Sequence, residues 1–144
     1  MCRDLLCLLL DYLDFAFCAP IGQNIEYMSG LKEITDKIVA FRDARDWKQF
    51  HNPKDMALSL TLEAAEVMEH FQWKNEEDIK KYLATENGFE GVSDELADVL
   101  YWVLLISHDL GIDIKQAFEK KIVKTGKKYP VDVVKGKYSK WTEY

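Results

Sequence analysis

Apolar residues recur at helical spacing along most of this chain. Leu31, Ile34, Ile38 and Phe41 mark one helix over 30 to about 46. The segment RDWKQFHNP breaks that period, and Pro53 stands where a second helix starts, expected over 54 to about 72. EEDIKKYLA predicts a short exposed helix, closed by Asn87-Gly88 as a stop signal. A third long helix is expected from about 92 to 110, ending at Gly111. A fourth follows Asp113 as N-cap and runs to about 128, where Tyr129-Pro130 stops it. The tail VDVVKGKYSKWTEY shows no clear period and is expected to lie over the surface or a neighbouring subunit. Four main helices with short connections and no convincing strand set predict an all-α bundle.

The second and third helices carry acidic residues where an apolar pattern leaves little place for them. In LEAAEVMEHFQW, residues 62–73, a rotation of about 100° per residue puts Ser59, Glu63, Glu66 and His70 in one stripe. Leu62 and Trp73 border it on one side, and Leu60, Val67 and Phe71 on the other. Glu69 and Gln72 fall elsewhere, with Thr61, and are expected in solvent. VSDELADVLYWVLLI repeats the pattern: Glu95 and Asp98 share a stripe with Trp102, while Leu96, Val99, Leu100, Val103 and Leu104 cover the rest. That third helix is apolar nearly all round and is expected to be buried.

One E-x-x-E on a helix is ordinarily a solvated face. Two such pairs in apolar settings bring four carboxylates together, and these repel unless a cation or protons intervene. An oxygen-only donor set suits Mg2+ or Mn2+ better than zinc. A di-iron carboxylate bundle would need Glu-x-x-His on two helices. Here His70 follows Glu66 by four positions and no second such pairing exists.

Composition narrows the function classes. With 144 residues, 31% charged and 48% hydrophobic, the chain suits one globular domain. A net charge of −6 argues against a nucleic-acid polymer as partner, yet allows a phosphorylated ligand that brings a cation. Cys2, Cys7 and Cys18 all fall in the first 18 residues, so the body of the chain holds no disulfide framework or cysteine zinc site. A reducing, cytoplasmic setting fits this usage. Residues 1–28 stand apart as an N-terminal extension. Their apolar run has the look of a signal peptide, but Asp4, Asp11 and Asp14 interrupt it and Pro20 follows Ala19. The run is too short and too acidic to span a bilayer, so no membrane partner is expected. Either an appended helix or an upstream start accounts for it, with Met28 the alternative initiator and Ser29 the N-cap of the next helix. The main domain is then 29–144.

E63-A-A-E66, a gap of 28 residues, then E95-L-A-D98 resembles the signature of the MazG-like, all-α nucleoside triphosphate pyrophosphohydrolases. F41-R-D-A-R-D-W-K-Q-F-H-N-P53, E69-H-F-Q-W73, K128-Y-P and W141-T-E are similar to the dCTP pyrophosphatase branch of that family. The likeness runs from about residue 30 to the C-terminus. It implies a four-helix bundle assembled as a homotetramer, a dimer of dimers, with sites near subunit contacts. The implied reaction cleaves a (d)NTP between its α and β phosphates, giving the monophosphate and pyrophosphate. By motif match, Glu63, Glu66, Glu95 and Asp98 are the catalytic carboxylates and the ligands of Mg2+, with Mn2+ also suited.

The same resemblance moves Trp47 and Trp73 from core packing toward base stacking. It sets Trp102 beside the sugar, makes His51 the motif histidine, and offers Lys54, Lys124 and Lys127 as phosphate contacts. Two positions depart from the pattern. Ile38 stands where animal dCTP pyrophosphatases carry histidine, and Thr125 replaces the asparagine that precedes K-K-Y-P. The implied substrates are dCTP or modified dCTPs and other non-standard nucleotides. Alternatives are dUTP, a phosphoribosyl-nucleotide, or a non-catalytic helical oligomer that binds a structural cation.

Overall fold

The computed structural model describes residues 21–138, 140 and 142, with side chains from residue 30 onward. Helix α1 spans Ile21–Asp43, α2 Pro53–Glu69, α3 Glu76–Leu83, α4 Glu86–Asp109, α5 Ile114–Lys128 and α6 Val131–Val134, and a 3-10 turn, Trp47–Phe50, precedes α2. Among the described residues there is no strand, so the all-helical reading holds. No described helix is long and apolar enough to cross a membrane.

Short polar side chains set the helix starts. Asn52, Asn75, Thr85 and Asp113 each accept a hydrogen bond from a backbone N–H in the first turn of the helix they precede. Each such cap contributes about 1 kcal/mol by satisfying a donor that the helix leaves orphaned. Pro53 sits in the first turn of α2, where its missing N–H has no intrahelical partner to lose.

Three expected boundaries differ. Ser29 lies inside α1, which begins at Ile21, so the helix does not start there. A serine serves as N-cap only where N–H groups ahead of it are orphaned, and upstream helix removes that need. Asn87-Gly88 does not close α3, which ends at Leu83; both residues belong to the first turn of α4. Gly88 is there for close approach, since a Cβ would collide with the Tyr82 carbonyl oxygen. Thr85 stitches the same corner, donating to that carbonyl at 2.7 Å and accepting from Gly88 N–H at 3.1 Å. The tail contains one short helix, α6, started after Pro130. The cysteines, the apolar run of residues 1–20, and Trp141 and Glu143 lie outside the described residues.

α2 packs along α4, with α1 and α3 flanking α4. Ile38, Met56, Leu104 and Leu105 form the buried core, and Leu31, Val39, Tyr101, Trp102, Ile106 and Ile114 pack around it. Ile38 is therefore a packing residue in this chain. The expected burial of α4 holds only toward its C-terminal half. Leu96 and Leu100 remain exposed, as do Leu58 and Leu62 on α2, because no other described helix lies over them.

One buried charge ties the helix ends. Arg42 of α1 is fully buried and forks onto both oxygens of Asp109 at the end of α4, at 2.9 and 2.7 Å. Its Nε donates to Asp43 at 2.8 Å. Burial alone would raise the Asp109 carboxyl, but hydrogen bonds from His108 and Arg42 and the Arg42 charge outweigh it and hold it below the usual range. A depressed carboxylate adds stability that is present above the unfolded pKa, about 3.9, and is lost as pH falls through the folded value. Asp109→Asn is expected to lower stability by about 3 kcal/mol at neutral pH, because it strips a buried guanidinium of its main partner. It should also flatten the acid limb of melting temperature against pH; wild-type melting at pH 7 would show that the clamp carries no stability.

Candidate functional site

The packing of α2 on α4 gathers the acidic stripes. Glu63 and Glu66 of α2 and Glu95 of α4 each place a carboxylate oxygen within 4.8 Å of the others. Glu63 and Glu95 are half-buried and Glu66 faces solvent. The i, i+3 spacing puts the α2 pair on one face, and the helix contact brings Glu95 to it. Asp98 lies one turn beyond Glu95, exposed and outside that 4.8 Å group. Its charge is nonetheless felt there. Glu95 is held above the usual carboxylate range, first by loss of water and then by the charges of Glu66, Asp98 and Glu63. Three of the four expected ligands thus meet, with the fourth at the edge. Clustered carboxylate oxygens with no thiolate among them are the kind of donor set that suits a hard divalent cation such as Mg2+ or Mn2+.

Aromatic residues frame this cluster. The Trp102 indole N–H donates to Glu63 Oε1 at 3.3 Å, so the ring expected beside a sugar also engages a carboxylate. His51, just after the 3-10 turn, packs on Trp102 with ring centroids 5.3 Å apart. Its Nδ1 is buried and has no hydrogen-bond partner among the described residues. Trp73 is 94% exposed and has φ 65°, a left-handed backbone that strains a residue with a bulky side chain. The local fold accepts that strain while leaving the whole indole in water.

The remaining candidates sit elsewhere in the single chain. Trp47 meets Phe41 edge-to-face at 5.9 Å, with the Arg45 guanidinium above the Phe41 ring. Lys54 pairs with Asp55 at 3.2 Å in the first turn of α2. Thr125 is half-buried in α5, and Lys124 and Lys127 are exposed on the same helix. None of these makes a hydrogen bond or ion pair with the carboxylate cluster.

A neighbouring polar depression of about 340 Å³ is lined by Glu66, Glu69, His70, Lys74, Tyr82 and Glu95. Glu69, expected away from the constellation, is therefore on its rim; α3 folds back and makes a wall where the α2 helical wheel alone leaves open water. Lys74 and Tyr82 escaped the sequence reading because no spacing relates a turn and a short amphipathic helix to the stripe on α2.

The MazG-like family profile matches residues 58–143. The dCTP pyrophosphatase 1 of Bos taurus is 30% identical over 113 residues, covering 78% of this chain and 67% of that protein. The dCTP pyrophosphatase 1 of Homo sapiens is 28% identical over 113 residues, covering 78% and 66%. This chain thus spans about two thirds of the length of these curated relatives. The crystal structure of a pyrophosphatase from Archaeoglobus fulgidus DSM 4304 superposes with a TM-score of 0.65 at 34% identity, covering 70% of this chain and 93% of that one. Helical frame, acidic stripes and relatives agree, and the chain belongs to the MazG-like family of nucleoside triphosphate pyrophosphohydrolases.

Proposed function

We propose that this chain is a Mg2+-dependent pyrophosphohydrolase, with Mn2+ as an alternative ion, acting on dCTP and on modified or non-canonical dNTPs in a cytoplasmic nucleotide pool. The observation that carries this reading is the convergence of Glu63, Glu66 and Glu95 between α2 and α4. The names of the relatives support the substrate class. A divalent cation held there neutralises phosphate charge and polarises phosphoryl oxygens.

The protein's own groups do the rest. Glu63, Glu66 and Glu95 hold the ion, and Asp98 completes the set from the edge. The Trp102 N–H keeps one Glu63 oxygen in place. A carboxylate of this group orients water and takes its proton as the new oxygen–phosphorus bond forms at the α-phosphorus; the bond from the α-phosphorus to the bridging oxygen breaks, and pyrophosphate leaves with that oxygen. Trp73, presented fully to solvent, stacks on the base, worth about 1–3 kcal/mol.

The finer architecture of this reading is a four-helix bundle in a homotetramer, a dimer of dimers. Exposed Leu58, Leu62, Leu96 and Leu100 on the two helices that carry the cluster support it, since apolar surface of that kind is normally covered. A neighbouring protomer then completes the substrate contacts of Trp47, His51, Lys54 and Thr125. The unpartnered His51 Nδ1 fits such a completed site.

Incubation with a dNTP panel and Mg2+ should yield monophosphate and pyrophosphate, with dCTP or its modified forms preferred. Orthophosphate as the primary product would rule out the mechanism. In that assay Glu63→Gln and Asp98→Asn should each abolish turnover with unchanged helical circular dichroism. Trp73→Ala should raise KM by roughly fivefold to 150-fold, the factor matching about 1–3 kcal/mol of lost stacking. Its melting temperature should not move, because the ring buries almost nothing. Light scattering should report four chains per particle; a monomer at working concentration would sink the tetramer.

A further inference from the structure

His70 is placed with more care than a rim residue needs. Its Nδ1 lies 2.6 Å from the Tyr82 hydroxyl, and the two rings stack with centroids 5.9 Å apart at 27°. Lys74 Nζ donates to the His70 carbonyl at 2.6 Å and sits 4.7 Å over the Tyr82 ring, locking the turn that carries the histidine. On the other side, α4 opens a notch. A Cβ at Gly91 would lie 2.7 Å from His70 Cε1, so only glycine leaves room for the imidazole. Glycine in a helix interior is unfavourable by about 1 kcal/mol against alanine. Two helices and a lysine therefore agree on one ring position, and in it Nε2 faces Glu95 Oε1 at 4.0 Å.

The tautomer follows from these neighbours. A bare Nε2 lone pair facing a carboxylate is repelled, whereas an Nε2–H is attracted. With the ring proton on Nε2, Nδ1 is an acceptor, and the Tyr82 hydroxyl donates to it.

We infer that His70, oriented by Tyr82 and admitted by Gly91, is a positioning residue that holds Glu95 in place for the cation. The inference rests on the cation-site reading given above. His70 touches neither substrate nor ion; it acts through the carboxylate, as outer partners commonly do at metal sites.

The test reads metal affinity directly. Mn2+ binding to the full chain is titrated by electron paramagnetic resonance, and melting of the metal-free protein is followed in parallel. Tyr82→Phe removes one oxygen, His70→Leu removes the imidazole, and Gly91→Ala crowds the ring. Each is expected to weaken Mn2+ binding about tenfold. His70→Gln, whose amide reaches toward the Nε2 position, should recover most of the loss, while the shorter His70→Asn should not. A purely structural role predicts lower melting with unchanged Mn2+ affinity in the folded fraction, and that result overturns the inference. Wild-type affinity in both Tyr82→Phe and His70→Leu overturns it as well, with the cation site left standing. Absence of Mn2+ binding by the wild-type chain overturns the cation site itself and the inference with it.

Discussion

Like charges held close on two packed helices are the constraint around which this structure is arranged. α2 and α4 can lie together only by bringing Glu63 and Glu66 against Glu95, with Asp98 adding its field from the next turn. In water such a group is merely crowded. Around half-buried Glu95, loss of water and the charges of its neighbours hold the carboxyl above the usual range. A divalent cation bound among them would attract each carboxylate and so offset their mutual repulsion.

The surroundings of the cluster make sense in that light. Trp102 reaches Glu63 through its indole N–H, and His70 faces Glu95. Two α4 glycines, which weaken the helix they sit in, allow the close approaches this arrangement needs: Gly88 against the Tyr82 carbonyl and Gly91 against His70. Stability is supplied at the other end of α4. There Leu104 and Leu105 join Ile38 and Met56 in the core, and Arg42 clamps Asp109. One helix is therefore firm at its C-terminal half and exposed at its N-terminal half.

Much of the helical frame was legible in the sequence, because apolar period, proline position and cap residues are local signals. The second helix, the short third segment and the helix after Asp113 fall close to where those signals put them. Where the reading failed, a local signal had a second physical meaning. Asn87-Gly88 looks like a stop, yet Gly88 is selected by a carbonyl on the preceding helix. Ser29 looks like a cap, yet a cap is needed only if the helix does not continue upstream. The all-round apolar character of α4 implied burial, but burial depends on how many helices one chain has available to cover it.

The sequence alone determined the carboxylate stripes, since spacings of three residues on a helix place Glu63 with Glu66 and Glu95 with Asp98 in any helical fold. It also determined the family, through motifs that need no coordinates. Which stripes meet, and which residues stand behind them, only tertiary structure decided. Tyr82 is twelve residues from His70 and carries no spacing signal toward it, yet α3 folds its hydroxyl to 2.6 Å from the imidazole. Trp102 reaches Glu63 across 39 positions. The left-handed backbone that turns Trp73 outward is set by the turn after α2. The physical reason is the same throughout: periodicity orients a side chain on its own helix, but only packing between helices chooses its partner.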